Sequence, residues 1–419
     1  MSKRGEVNDR LIARGESVGV EFQPDSFPVE FFSLTGVRGT QLRATVSSFG
    51  PILLGKVLDL TAVQQSVLAM VFKYCDDRRL PLLDFEDLRS VLNYLAGEGK
   101  ADLKEYGGLS GQTVGVLVRK MVELEQQGAA RFFGEPELEI ADLMRTSNGR
   151  GVVNILTLAD VQDKPRLFST FLMWLLGQFY YRMPEVGDPE KPRLVFFFDE
   201  AHLLFNDSSS ALVEHIEQVA RLIRSKGIGV FFITQTPKDV AEDVLAQLGN
   251  RIQHAVRAFT PRDAKNIKAT ASTFSSSGFF AVDKLLTTLG TGEALVTVLN
   301  PKGIPTPVAA AQILAPSSSM STIDDGGYQQ ALAASAIAVK YGRAIDRDSA
   351  HEILERKLAE SAAREPEERA APRGRRRKER KGLVEEVLTS RTTQTAVRQV
   401  ARTATQSIVR GLFGLLRGR

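Results

Sequence analysis

The sequence predicts an α/β protein: a three-layer sandwich around a parallel central sheet, with a helical insertion subdomain and a C-terminal amphipathic helix. Three observations predict it. From Gly151 onward short apolar runs alternate with helix-length segments, which is the signature of βαβ units. One of those runs, Leu194-Val195-Phe196-Phe197-Phe198, is apolar at every position, as a strand covered on both faces must be. Between Leu42 and Arg145 the apolar residues recur at helical spacing instead, as in Val114, Leu117, Val118, Met121 and Leu124.

Each segment follows from the same periodicities. Residues 1–40 hold a short helix around Asn8–Arg14 and a strand, Val29–Leu34, ending in Gly36 and Gly39; this is too little to stand alone and reads as a remnant of the core's N-terminal half. Residues 41–150 form the helical subdomain, punctuated by Gly107-Gly108 and Gly111 and closed by Asn148-Gly149. Residues 151–315 form the core. The expected order there is strand Val152–Leu156, helix Arg166–Arg182, strand Arg193–Phe198, helix Ala211–Ser225 and strand Gly229–Thr234. A helix ending at Gly249, strand Arg251–Phe259, a helix from Pro261 and a final pair, Glu293–Leu299 and Pro307–Ile313, complete it. Right-handed crossovers would place the helices on both faces of the sheet. Residues 316–361 read as a helical extension with a helix at Tyr341–Leu358, residues 362–392 as a basic flexible linker, and residues 393–419 as the amphipathic helix.

Composition narrows the class. With 419 residues and 43% apolar side chains the chain can bury a sizeable core. A lone cysteine, Cys75, excludes an internal disulfide framework and fits a reducing compartment; Cys75 and Trp174 both fall at apolar helical positions and are expected in the core. No run approaches the roughly 18 apolar residues of a membrane span, and the polar start is not a signal peptide, so a cytoplasmic location is expected. The net charge of +4 is uneven: residues 364–419 hold 15 Lys/Arg against 6 Asp/Glu, which leaves −5 for residues 1–363. The basicity belongs to the tail, so the overall charge is not a nucleic-acid footprint of the core. The tail's run from Arg373 to Lys381 could contact DNA phosphates or an acidic membrane surface, or be a solvated linker. Its last stretch, with Val397, Val400, Ile408, Leu412 and Leu415, suits a docking or oligomerisation helix, or a membrane-surface anchor.

The chemistry concentrates at the end of the apolar run, where Asp199 and Glu200 follow Phe198. Open α/β sheets bind their ligands at the carboxyl ends of strands, and paired acids there form a Walker B signature. Asp199 is suited to hold Mg²⁺ through water and Glu200 to polarise a water attacking the γ-phosphate of ATP; the alternative is a pair of acids that only caps a buried strand. Gln235 ends the next expected strand and could lie beside the γ-phosphate as a sensor, or be an ordinary polar strand end. Arg224, Arg257 and Arg221 are candidates for an arginine finger, or surface ion-pair partners. His202, in Asp199-Glu200-Ala201-His202, reads as incidental. The glycine loop that normally accompanies a Walker B strand, Gly-x-x-x-x-Gly-Lys-Ser/Thr, occurs nowhere in the 419 residues; Gly99-Lys100 fails at both ends.

The chain resembles the HerA-like bacterial ATPases of the FtsK–HerA superfamily. The resemblance runs through Arg43–Val46, Leu83–Arg89, Glu125–Pro136, Val195–Asn206, Arg221–Gly229, Gln247–Pro261 and Gly290–Leu295, and reaches Ala396–Val400 and Ile408–Gly411 in the tail. It implies a RecA-like P-loop NTPase core that assembles as a hexameric ring, hydrolyses ATP with Mg²⁺ and translocates DNA. It matches Asp199 and Glu200 to the Walker B acids and Gln235 to the sensor glutamine, and puts Arg224 where an arginine acting on a neighbouring subunit is expected. The departure lies at the front, where relatives carry a strand, a P-loop, a helix and a strand ending in an acid before the point matching Ala13–Val29. Met1 is therefore expected to be an internal or misassigned start, or that of a truncated gene, and the 419-residue form to be inactive. A non-catalytic scaffold of the same fold is the alternative.

Overall fold

The computed structural model describes residues 1–370, except 162, 188, 206–208, 237–238, 258–260 and 275–277. Residues 1–358 form one compact unit and 359–419 another. The basic run at 373–381 and the terminal amphipathic stretch lie outside the described residues.

The chain opens with α1 (Asp9–Val18), then β1 (Val29–Ser33) and β2 (Thr40–Gln41). Asn8 caps α1 by accepting from the Leu11 amide, and Gly19 closes it in the left-handed conformation. The helical section holds α2 (Val46–Val57), α3 (Ala62–Arg78), α4 (Phe85–Ala96), α5 (Gly111–Gln126) and the single turn α6 (Ala129–Phe132). Thr61 with Gln64 and Asp84 with Asp87 form capping boxes on α3 and α4, which is why those helices start where they do. A short hairpin, β3 (Thr146–Ser147) and β4 (Arg150–Gly151), leads to β5 (Val153–Thr157) and then α7 (Pro165–Arg182).

Helix α7 is the centre of the main core. It is apolar nearly all round, as a fully surrounded helix must be, and buries Phe171, Trp174, Leu175 and Phe179. Two of its interior polar groups have partners on α2: Trp174 Nε1 donates to Ser48 Oγ at 2.9 Å, and Gln178 Nε2 donates to the Ser48 carbonyl at 3.0 Å. Cys75 and Trp174 are both buried, as their helical spacing predicts.

Beyond α7 come β6 (Leu194–Phe198), α8 (Ser210–Leu222), β7 (Ile228–Phe232), the short α9 (Glu242–Leu245) and β8 (Arg251–His254). The unit continues through α10 (Pro261–Ser272), α11 (Val282–Thr288), β9 (Glu293–Thr297), β10 (Ala309–Gln312), α12 (Asp325–Ala333), α13 (Ala336–Tyr341) and the start of α14 (Ala350–Ala370).

The class is α/β with parallel strands, as predicted, but among the described residues the parallel pairing falls into two pieces. One is β2-β1-β5, with Phe31 opposite Ile155; the other is β6-β7, with Phe198 opposite Phe232. The last three strands, expected to extend the parallel sheet, are instead antiparallel in the order β10-β9-β8. A short connection joins β9 to β10, and only antiparallel neighbours can be joined so briefly. They enclose a small separate core of Ile267, Phe274, Leu286, Leu289, Leu295 and Val308.

Two helix expectations also change. The helix expected at Tyr341–Leu358 is split: α13 stops at Tyr341 and α14 begins at Ala350. Ser349 caps the new start by donating its amide to Glu352 Oε2 at 2.8 Å, and Asp87 accepts the His351 amide at 2.8 Å. Residues 362–370, expected to open the flexible linker, continue α14, in keeping with their Ala, Glu and Arg content.

Gly39 shows how tightly β1 is packed. Its φ is +126°, and a Cβ there would sit 2.6 Å from the Phe32 carbonyl carbon, so only glycine fits.

Candidate functional site

Strands β6 and β7 run parallel and in register, so the residues that follow them emerge side by side at one edge. The two ends are locked to each other: the Ile233 amide donates to the Phe198 carbonyl and the Ala201 amide to the Ile233 carbonyl, each at 2.8 Å. This brings together Asp199 and Glu200 at the end of β6 and Gln235 beyond β7, all three exposed.

Between the acids the chain turns sharply. Glu200 adopts φ +50° and ψ +49°, a left-handed conformation that costs a non-glycine residue about 1–2 kcal/mol. Asp199 Oδ1 accepts the Glu200 amide at 3.0 Å, which helps hold the turn. The strained turn ends the strand and starts the short 3₁₀ helix Ala201–Leu204.

That helix carries His202 back towards the acids. Its Nδ1 lies 3.2 Å from Glu200 Oε2, an ion-pair distance. On the other strand, Asp239 Oδ2 accepts from Thr234 Oγ1 at 2.6 Å and from the Thr236 amide at 3.1 Å. Burial works against the Asp239 charge, yet these hydrogen bonds and the nearby His202 hold its carboxyl below the usual range. A histidine and a further carboxylate thus belong to the same edge. His202, which the sequence reads as incidental, lies in contact with Glu200. Asp239 carried a signal in the sequence, because Thr236-x-x-Asp239 has the spacing of a capping box, whose acid reaches back to the first amide.

The arginines fall elsewhere. Arg224 lies in the 3₁₀ turn Ile223–Lys226 that leads into β7, at the opposite end of the strand from the acids. Five strand residues separate the two ends, roughly 16 Å. Arg221, also exposed, ends α8 on that same side. Arg257 follows β8, and its guanidinium donates to the Thr287 and Leu289 carbonyls at the carboxyl end of α11. It is a helix-end cap there, a favourable place for a cation.

The donor set fits Mg²⁺. Exposed carboxylates are hard oxygen ligands, and among the described residues no group of three or more His, Cys, Asp or Glu could enclose a metal. An ion held by one carboxylate and otherwise by water and phosphate suits that arrangement.

Paired acids at the carboxyl end of a parallel strand stand where open α/β sheets place their ligands. The sequence profile of the family described as "Helicase HerA-like C-terminal" matches residues 1–419, so the chain belongs to that family. The DNA double-strand break repair helicase HerA of Sulfurisphaera tokodaii is 31% identical over 150 residues, covering 35% of this chain and 29% of that protein. The protein of the same name from Sulfolobus acidocaldarius is 23% identical over 233 residues, covering 51% and 45%. The chain thus spans less than half the length of the curated relatives it matches. Among solved structures, the plasmid coupling protein TrwB in complex with a non-hydrolysable GTP analogue aligns over 69% of this chain and 77% of its own, with a TM-score of 0.43 and 14% identity.

Proposed function

We propose that the chain is the catalytic-acid half of a HerA-like motor that hydrolyses ATP with Mg²⁺ on a RecA-like core. The observation that supports this reading is the pair of acids, Asp199 and Glu200, at the carboxyl end of β6 beside the parallel β7, on a strained turn. Asp199 would hold Mg²⁺ through water. Glu200 would accept a proton from the attacking water, and Gln235 would orient that water and read the γ-phosphate. Bound Mg²⁺ supplies charge neutralisation at the phosphate oxygens. Arg224, at the far end of the strand from these groups, would act on a neighbouring subunit in a hexameric ring, and Arg257 is a weaker candidate because its guanidinium caps α11. DNA is the proposed substrate and the cytoplasm the proposed place, both from family membership.

The test is Glu200→Gln in the natural full-length gene product, with phosphate release and MgATP binding measured separately. Hydrolysis should fall by at least about a hundredfold while binding persists; undiminished hydrolysis overturns the assignment. A second reading is favoured by one observation, the lack of a Gly-x-x-x-x-Gly-Lys-Ser/Thr loop in these residues. In the 419-residue form the chain would then be a non-catalytic scaffold. Titration calorimetry of that form with MgATP decides, since tight, saturable binding contradicts the scaffold.

A further inference from the structure

We infer that His202 is the positioning residue for Glu200. The inference rests on the reading of Glu200 as the proton acceptor, and three observations beyond that reading carry it. First, Glu200 sits in a left-handed backbone conformation just past the end of β6, so its side chain leaves from a tight turn rather than from the pleated strand. Second, the carboxylate is more than half exposed, and an exposed glutamate sweeps a wide range of positions unless something holds it. Third, the group within reach is the His202 imidazole, whose Nδ1 is 3.2 Å from Oε2.

The turn that carries His202 is itself anchored. The backbone of His202 belongs to the 3₁₀ turn whose first amide, that of Ala201, is bonded to the Ile233 carbonyl on the neighbouring strand. Its ring lies in the field of Asp239, whose carboxylate is fixed by Thr234 and Thr236 on either side of Gln235. By occupying Oε2 the imidazole leaves the remaining lone pairs of the carboxylate for water, and it sets the direction in which Oε1 points. An acceptor misplaced by about 1 Å can lose on the order of a hundredfold in rate, so a residue that only positions it has a measurable effect on turnover.

The experiment is steady-state ATP hydrolysis by the natural full-length gene product and four variants. His202→Ala should lower kcat by about ten- to a hundredfold with KM for ATP unchanged. His202→Asn, whose amide can donate in place of Nδ1, should recover most of that loss. Glu200→Gln should abolish turnover, and the Glu200→Gln/His202→Ala double variant should be no slower than Glu200→Gln alone, as two groups acting as one unit require. Wild-type kcat in His202→Ala, a loss confined to KM, no recovery in His202→Asn, or a double variant that loses both effects in full overturns the inference while leaving the role of Glu200 intact. Full activity in Glu200→Gln, or no hydrolysis by the unmutated protein, overturns the underlying reading and this one with it. His202→Asn keeps the measurement interpretable if the alanine variant is unstable.

Discussion

The two pieces of parallel sheet are built from similar residues and treated differently by the fold. In β1 both faces are covered. Phe32 and Leu34 are buried in the main core, and on the other face Phe31 packs against the Tyr328 ring with centroids 5.0 Å apart. In β6-β7 the described residues cover only one face, which packs on the main core with Phe179 against Phe196 at 5.0 Å. The other face presents Val195, Phe197, Phe231 and Ile233, which are 36%, 62%, 47% and 46% exposed, with the Phe197 and Phe231 rings stacked at 4.8 Å. Parallel strands normally need both faces buried, and a contiguous apolar patch of this kind marks a contact surface or an aggregation liability. The difference teaches that an all-apolar strand reports how much cover it requires, not how much the described residues around it provide.

The largest effect expected from this contrast is at β1. Phe32→Ala should cost about 3–5 kcal/mol, because it removes a ring from a close-packed site with nothing to fill the space. Urea denaturation measures it, and a cost below about 1 kcal/mol would mean that β1 is not packed as described.

A second effect tests the covered side of β6-β7. His215 lies on α8, is 5% exposed, and has an Nε2 with no hydrogen-bond partner. Burial, with repulsion from Lys56 second, pulls its pKa below the 6.5 of a free histidine, although a bond with the Met173 backbone opposes this. The folded state thus resists protonation more than the unfolded one. Its full contribution is present above pH 6.5 and is lost as the pH falls from there towards the lower folded value, by at most about 1.4 kcal/mol per pH unit. Melting temperatures followed from pH 7.5 to 5.5 should drop more steeply in the natural protein than in His215→Leu; identical slopes would show that His215 is solvated.

The smallest stability effect belongs to the bare face. Phe197→Ser should change stability by less than about 1 kcal/mol, since the ring is already mostly in water. It should instead raise the concentration at which the protein aggregates and lower the binding of a hydrophobic dye. A loss comparable to that of Phe32→Ala would erase the contrast between the two sheets.

Much of the site was legible in the sequence, because it depends on local order. A short apolar run rich in Val and Phe and followed by two acids reads as a strand with carboxylates at its tip, and the helical spacing around Trp174 and Cys75 predicts their burial. His202 was not legible: two residues after Glu200 in a chain, it could point anywhere until the left-handed turn brought its ring back. The placement of Arg257 was lost for a similar reason, since its partners are carbonyls on α11, thirty and thirty-two residues later.

The sequence by itself determined the α/β class, the helical section, the core of α7 and the identity of the paired acids, all of which follow from periodicities of two and 3.6 and from the residues at strand ends. Only the tertiary structure decided which strands pair, that β8, β9 and β10 are antiparallel, that the parallel strands divide into a covered and a half-bare sheet, and that a histidine stands beside Glu200. The physical reason is that pairing and cover are settled between segments far apart in the chain, where packing and hydrogen-bond satisfaction across the whole molecule outweigh local preference.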